Sequence, residues 1–154
     1  MIVVSDTSCI TGLIAIRREQ LLRQLFGTVI IPPAVREELR VAHALLPDYL
    51  ETRAPVETAA VARLLLKPLD LGEAEAMVLA EELHADYLLI DETAGRKVAE
   101  ARGIRHFGLL GVLSRAKDKG FIAQLRPELD ALIVTGFRIA PGLRERFLSD
   151  MGEA

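Results

Sequence analysis

The sequence predicts an α/β fold organised on a parallel sheet, and three observations carry that prediction. Short, β-branched apolar runs alternate with segments whose apolar residues recur at helical spacing. Two of those runs end alike: Ile2-Val3-Val4-Ser5 stops on Asp6, and the run from Ala85 to Ile90 stops on Asp91, each with residues that can cap a helix close behind. At 154 residues, 51% of them hydrophobic, the chain can bury a sizeable core and by length forms one domain, 1–154.

Taken in order, the first strand leads into a helix beginning near Cys9. Thr11 to Phe26 then carries Leu13, Ile14, Leu21, Leu22 and Leu25 at helical spacing, which reads as two short helices or one bent one. Thr28 to Ile31 is the second strand; Pro32-Pro33 closes it and opens a helix running to about His43. The apolar positions of that helix, Val35, Leu39 and Ala42, place Glu38 on its buried side. Leu46 to Pro55, rich in proline and mixed polar residues, reads as a loop, and Val56 to Leu66 as a helix ended by Lys67-Pro68.

From Asp70 or Gly72 a further helix reaches Leu83. Its stripe of Met77, Ala80 and Leu83 leads back to Glu73 on the core side, whereas Glu75 shares a solvated face with Glu82. The strand at 85–90, a helix at 94–101 that Thr93 can cap, a stop at Gly103, a strand at 104–107 and a helix from about Leu109 to Lys119 complete a βαβα alternation. That alternation implies a parallel sheet covered on both faces. Residues 121–133 and 143–147 add two amphipathic helices, making 121–154 a helical C-terminal extension.

Several function classes drop out. The single cysteine, Cys9, excludes an internal disulfide, and with His43, His84 and His106 it makes no zinc-ligand spacing. No apolar run approaches the ~20 residues of a membrane span, and Asp6 interrupts the stretch where a signal peptide needs its apolar core. The expectation is a cytoplasmic protein without a membrane partner. Dinucleotide and P-loop signatures are absent, so the nucleotide-binding α/β folds lack motif support. The net charge of −3 argues against nonspecific coating of nucleic acid, yet the charge is segregated. Asp70 to Glu92 holds eight acids and no Lys or Arg; Thr93 to Arg126 is predominantly basic. An acidic metal cleft bordered by a basic shelf for phosphates needs such segregation, and solvated helix faces also produce it.

Two strand ends and two helix faces thus offer four inward carboxylates: Asp6, Glu38, Glu73 and Asp91. If they converge, mutual repulsion raises their proton affinity unless a cation neutralises them. Hard oxygen donors suit Mg²⁺ or Mn²⁺, which can activate water for phosphodiester hydrolysis. Ser5, Thr7 or Ser8 could orient a water, and Arg96 and Lys97 are the candidate phosphate contacts. Each acid also has a structural reading: Asp6 and Asp91 as helix caps, Glu38 as a surface acid, Glu73 as a first-turn acid complementing the helix dipole.

The ordered set, Asp6 in "SDTS", Glu38 in "PPAVREEL", Glu73 in "LGEAEA" and Asp91 in "LLIDE", resembles the PIN domain, typified by the VapC toxins. The resemblance covers residues 1 to about 113. It implies a three-layer α/β/α sandwich, and it implies an endoribonuclease site in which Asp6, Glu38, Glu73 and Asp91 are catalytic and Asp6, Glu73 and Asp91 hold Mg²⁺ or Mn²⁺. RNA substrate, a homodimer and, for a toxin of a toxin–antitoxin pair, an antitoxin partner follow from the same likeness. Glu73 stands where many of the toxins carry aspartate, which leaves Glu75 or Glu92 as substitute or auxiliary acids. The alternatives are a catalytically inactive RNA-binding PIN domain and, from another enzyme class, a haloacid dehalogenase-like phosphoryl-transfer enzyme. The latter needs a second acid two residues after its nucleophile, where this chain has Ser8.

Overall fold

The computed structural model describes residues 1–153, so that Ala154, the last residue of the expected 1–154 domain, lies outside the described residues. Five strands, β1 (Val3–Ser5), β2 (Val29–Ile31), β3 (Leu50–Thr52), β4 (Tyr87–Leu89) and β5 (His106–Phe107), pair in the order β3-β2-β1-β4-β5, every pair parallel. The chain steps outward from β1 through β2 to β3, then restarts on the other side with β4 and β5. Where strand order reverses, an open parallel sheet leaves a crevice at the carboxyl ends of its strands. The strands flanking that point are β1 and β4. Asp6 follows the first directly, and Asp91 stands two residues beyond the second.

The helices are α1 (Thr7–Ala15), α2 (Gln20–Phe26), α3 (Pro33–Ala42), α4 (Thr58–Leu64), α5 (Leu71–Glu82), α6 (Thr93–Ala101), α7 (Leu109–Asp118), α8 (Arg126–Val134) and α9 (Leu143–Asp150). Side chains alternate across a strand, which divides the interior in two. Val3, Val29, Ile31 and Leu89 join a core with α1, α2, α3, α7 and α8, while Val4, Ile30, Leu88 and Ile90 join a second with α4, α5 and α6. The result is the three-layer α/β/α sandwich. Each fully buried leucine of these layers contributes roughly 1.5–3 kcal/mol.

Most expected elements form, with ends displaced by tertiary context. The region read as a loop at 46–55 contains β3, whose residues are half-buried or exposed. Leu50-Glu51-Thr52 carries no apolar alternation; pairing with β2 at the sheet edge makes it a strand. Helix α1 begins at Thr7 rather than near Cys9 because Asp6 itself is the cap, and Thr93 is the first residue of α6 rather than its cap. Residues 121–133 do not form one helix: α8 starts only at Arg126, with Pro127 in its first turn.

Helix α5 is buried almost all round from Gly72 to Ala80. It lies against the sheet between α3 and α4, and such a position demands apolar residues on every side. That burial carries the Glu73 end of the helix into the crevice. The C-terminal residues pack back on the first core through Leu129, Leu132 and Leu148. They are tied down by ions: Glu128, 7% exposed, accepts two bonds from Arg18 at 2.7 and 3.0 Å, and Glu153 accepts from Lys117 Nζ (2.6 Å), Leu125 N (2.7 Å) and Arg126 N (3.0 Å). Among the described residues no helix is long and apolar enough to cross a membrane.

Candidate functional site

Asp6 joins the two central strands. Its Oδ1 accepts from Cys9 N at 3.1 Å, capping α1, and its Oδ2 accepts from Asp91 N at 3.1 Å across the strand ends. Its own N–H donates to Leu89 O at 2.9 Å, extending the β1–β4 ladder. Two backbone donors would ordinarily keep a carboxylate ionised. Here burial outweighs them and the Asp91 charge adds to it, so that the Asp6 pKa is pushed up to about 7. Asp91 in turn accepts from Leu109 N at 3.1 Å, satisfying the start of α7, where the capping position is Gly108 and has no side chain to do so. Burial raises Asp91 as well, against the Leu109 N–H and the Arg96 charge, which lower it.

Glu73 reaches the same place from α5 through a reciprocal cap. Asp70 Oδ1 accepts from Glu73 N (2.8 Å) while Asp70 N donates to Glu73 Oε1 (3.0 Å). The pairing fixes one oxygen of Glu73 and leaves the other, Oε2, buried with no hydrogen-bond partner. Burial, then the charges of Asp70, Glu92 and Glu38, raise Glu73 above the usual carboxylate range despite the Asp70 N–H. Glu38 departs from expectation in its surroundings. The buried stripe of α3 is only Val35 and Leu39, Ala42 is exposed, and Glu38 flanks the stripe at the surface with its carboxylate turned toward the start of α5. Partial burial and the Asp70 charge still raise it, opposed by the Thr7 hydroxyl. Glu75, expected in solvent, is half-buried and accepts from Ala34 N at 2.9 Å, capping α3 in place of a side chain that Pro32 cannot supply.

These groups surround a cleft of about 380 Å³ lined by Asp6, Thr7, Ser8, Glu38, Asp70, Glu73 and Glu92, with Pro68 and Ala94. Of the three hydroxyls, Thr7 and Ser8 reach the cleft. Ser5 does not; it is fully buried and donates to Asp6 O at 2.9 Å. Asp91 is not on the cleft wall; it meets Asp6 through its backbone N–H. Arg96 and Lys97 are exposed in the first turns of α6, and only the charge of Arg96 acts on the acids. Asp70 and Glu92 are the wall residues that the fourfold pattern leaves out, although D-x-x-E at a helix start already signals the Asp70–Glu73 cap.

Among the described residues no group of three or more His, Cys, Asp or Glu is arranged to hold a metal ion. The donor chemistry does fit a hard divalent cation: carboxylates and hydroxyls around one cleft, Asp6, Glu38 and Glu73 raised by burial and neighbouring charge, and the orphaned oxygen of Glu73. The family model DUF3368, described as a PIN domain, matches residues 2–153. The chain belongs to the PIN domain family. PIN domains are generally nucleases and typically use divalent metals, so membership supports a nuclease-type hydrolase with a nucleic acid substrate. The match runs through the C-terminal helices of this PIN domain, beyond the tract whose motifs carry the resemblance in sequence. No curated protein matches the chain.

Proposed function

We propose that this PIN domain is a Mg²⁺- or Mn²⁺-dependent endoribonuclease in which Asp6, Glu73 and Asp91 hold the ion and Glu38 completes the catalytic set. The observation that carries the reading is Glu73 Oε2, a buried carboxylate oxygen with no partner in a cleft it shares with Asp6 and Glu38, whose proton affinities are raised, with Asp91 joined to Asp6. Bound there, the ion would supply Lewis acidity that lowers the proton affinity of water and offsets charge on the phosphate. The chain's own groups do the rest. Glu38, raised and facing the Thr7 hydroxyl, takes up a proton from water, Thr7 and Ser8 orient it, and Arg96 and Lys97 meet the phosphate backbone. Because protons compete with the ion at Asp6, metal affinity rises with pH up to about 7.

The test is cleavage of a structured RNA pool with Mn²⁺, Mg²⁺ or chelator, wild type against Asp6→Asn/Asp91→Asn. Metal-dependent cutting lost in the variant supports the reading, and equal cutting by both rejects it. A second reading, a catalytically inactive RNA-binding PIN domain, is favoured by the commitment of both Asp6 oxygens to backbone N–H groups. Salt-sensitive RNA binding without turnover would select it. The finer roles implied by the likeness to VapC toxins, a homodimer and a toxin held by an antitoxin, are tested by sedimentation of the chain and by growth arrest on its expression.

A further inference from the structure

Three glycines stand against carboxylates in or beside the cleft, and backbone conformation requires none of them. Gly72, Gly95 and Gly108 all lie outside the set with positive φ. Gly72 and Gly95 are helical, in the first turns of α5 and α6, where alanine is the better helix former. What each offers is room. A Cβ on Gly72 would stand 2.6 Å from Glu38 Oε1, one on Gly95 would stand 3.1 Å from Glu73 Oε2, and one on Gly108 would run into Asp91 Oδ1. Three of the four acids thus occupy space that a glycine leaves open.

We infer that these glycines are positioning residues for the carboxylates, and that Gly72 in particular sets the Glu38 carboxylate across the start of α5 into the cleft. The inference rests on the metal-dependent nuclease reading and adds to it the residue that holds Glu38 in place. Gly72 separates positioning from folding better than the other two. A Cβ at Gly95 would also press Ile90 Cδ1 at 2.5 Å in the core, and one at Gly108 would meet the Asp91 oxygen that accepts from Leu109 N at the start of α7. At Gly72 the closest neighbour is the free end of an exposed side chain, with Val35 Cγ2 next at 3.3 Å. Glu38 therefore yields by turning out to solvent, the helix keeps its geometry, and the cleft loses one acid.

The experiment compares the full chain with Gly72→Ala, Glu38→Ala and the double variant, reading Mn²⁺ affinity by titration calorimetry and melting temperature in chelator. Gly72→Ala should melt at or above the wild-type temperature yet bind Mn²⁺ about 10- to 100-fold more weakly, the usual cost of losing an outer group, here the Glu38 carboxylate, that supports the site around the ion's own ligands. In the Glu38→Ala background it should change the affinity no further. Wild-type affinity in Gly72→Ala would overturn the inference, as would an equal loss with Glu38 already absent, or a Gly72→Ala chain that does not fold. Absence of Mn²⁺ binding by the wild type would overturn the metal reading and this inference with it, whereas a binding wild type and an unaffected Gly72→Ala would sink the inference alone.

Discussion

Asp6 and Glu153 are both carboxylates that accept two backbone N–H bonds and cap a helix, yet their proton affinities move in opposite directions. At Asp6, burial and the Asp91 charge defeat the Cys9 and Asp91 donors and bring the pKa up to about 7 from 3.8. At Glu153 burial also pushes upward, but hydrogen bonds from Lys117, Leu125 N and Arg126 N, with the Lys117 charge, bring it down to about 2. The differences are the deeper burial of Asp6 and the paired cation at Glu153. The C-terminal clasp contains its counter-ion and is finished as a structural feature; the cleft collects acids without one. A buried charge left unpaired is costly, so a fold that retains several in one cleft points to a ligand that neutralises them.

The largest break in this comparison is Asp6→Asn. Metal assistance supplies several kcal/mol of transition-state stabilisation, so removing the ligand should cost on the order of 10³-fold in cleavage rate. The fold should survive, because asparagine keeps the α1 cap through its oxygen and sheds a buried charge, although its Nδ2 cannot accept the Asp91 N–H. Cleavage of RNA by purified variant and wild type measures the first, and circular dichroism measures the second. Retention of activity would place the chemistry outside the strand-end acids.

The two ends of the molecule should also answer pH in opposite senses. The folded pKa of Asp6 lies above its ordinary 3.8, so its contribution to stability is complete below about 4 and lost as pH rises through about 7. At about 1.4 kcal/mol per pKa unit the loss is on the order of a few kcal/mol. Glu153 runs the other way: its contribution is complete above its ordinary 4.5 and lost as pH falls toward about 2. Melting curves in chelator should therefore decline from pH 4 to 7, and Asp6→Asn should flatten that decline. Saturating Mn²⁺ should reverse it, since binding to the folded state alone is stabilising and is favoured as the acids ionise. Glu153→Gln should lower the melting temperature at pH 7 by about 2–6 °C with cleavage unchanged.

How far this was legible in the sequence depends on whether a residue's role is local. Asp6 and Asp91 could be found because apolar runs ending in a carboxylate place the charge at the end of a strand wherever the strand goes. Glu73 could be found because its helix phase leads back to the core. Glu38 reads as part of the buried stripe of α3 only if Ala42 counts as apolar; in the structure Ala42 is exposed, and the shortened stripe leaves Glu38 at its edge. Strand β3 was not legible, since its only qualification is a vacant edge of β2. The cleft positions of Asp70 and Glu92 depend on how α5 and α6 meet the sheet, which no local pattern encodes. The roles of Glu75 and Glu153 as caps for α3 and α8 likewise join residues 41 and 28 positions apart.

Glu75 gives the smallest effect and the sharpest contrast, because it lies two residues from Glu73 on the same helix. Glu73 faces the cleft with an oxygen that has no partner, while Glu75 faces α3 and accepts the Ala34 N–H. If the difference between a ligand-seeking acid and a finished one holds at this spacing, the two alanine variants should separate cleanly. Glu75→Ala removes a cap and should cost about 1 kcal/mol of stability, with Mn²⁺ affinity and cleavage close to wild type. Glu73→Ala should abolish metal-dependent cleavage; in chelator it loses the Asp70 N–H acceptor but also removes a buried repulsive charge, so its melting temperature should move little. Paired measurements of melting temperature and Mn²⁺ affinity distinguish the two. If Glu75→Ala were the variant to lose metal, the acid serving the cleft would be the one that now caps α3, and the first turn of α5 would have to rotate to deliver it.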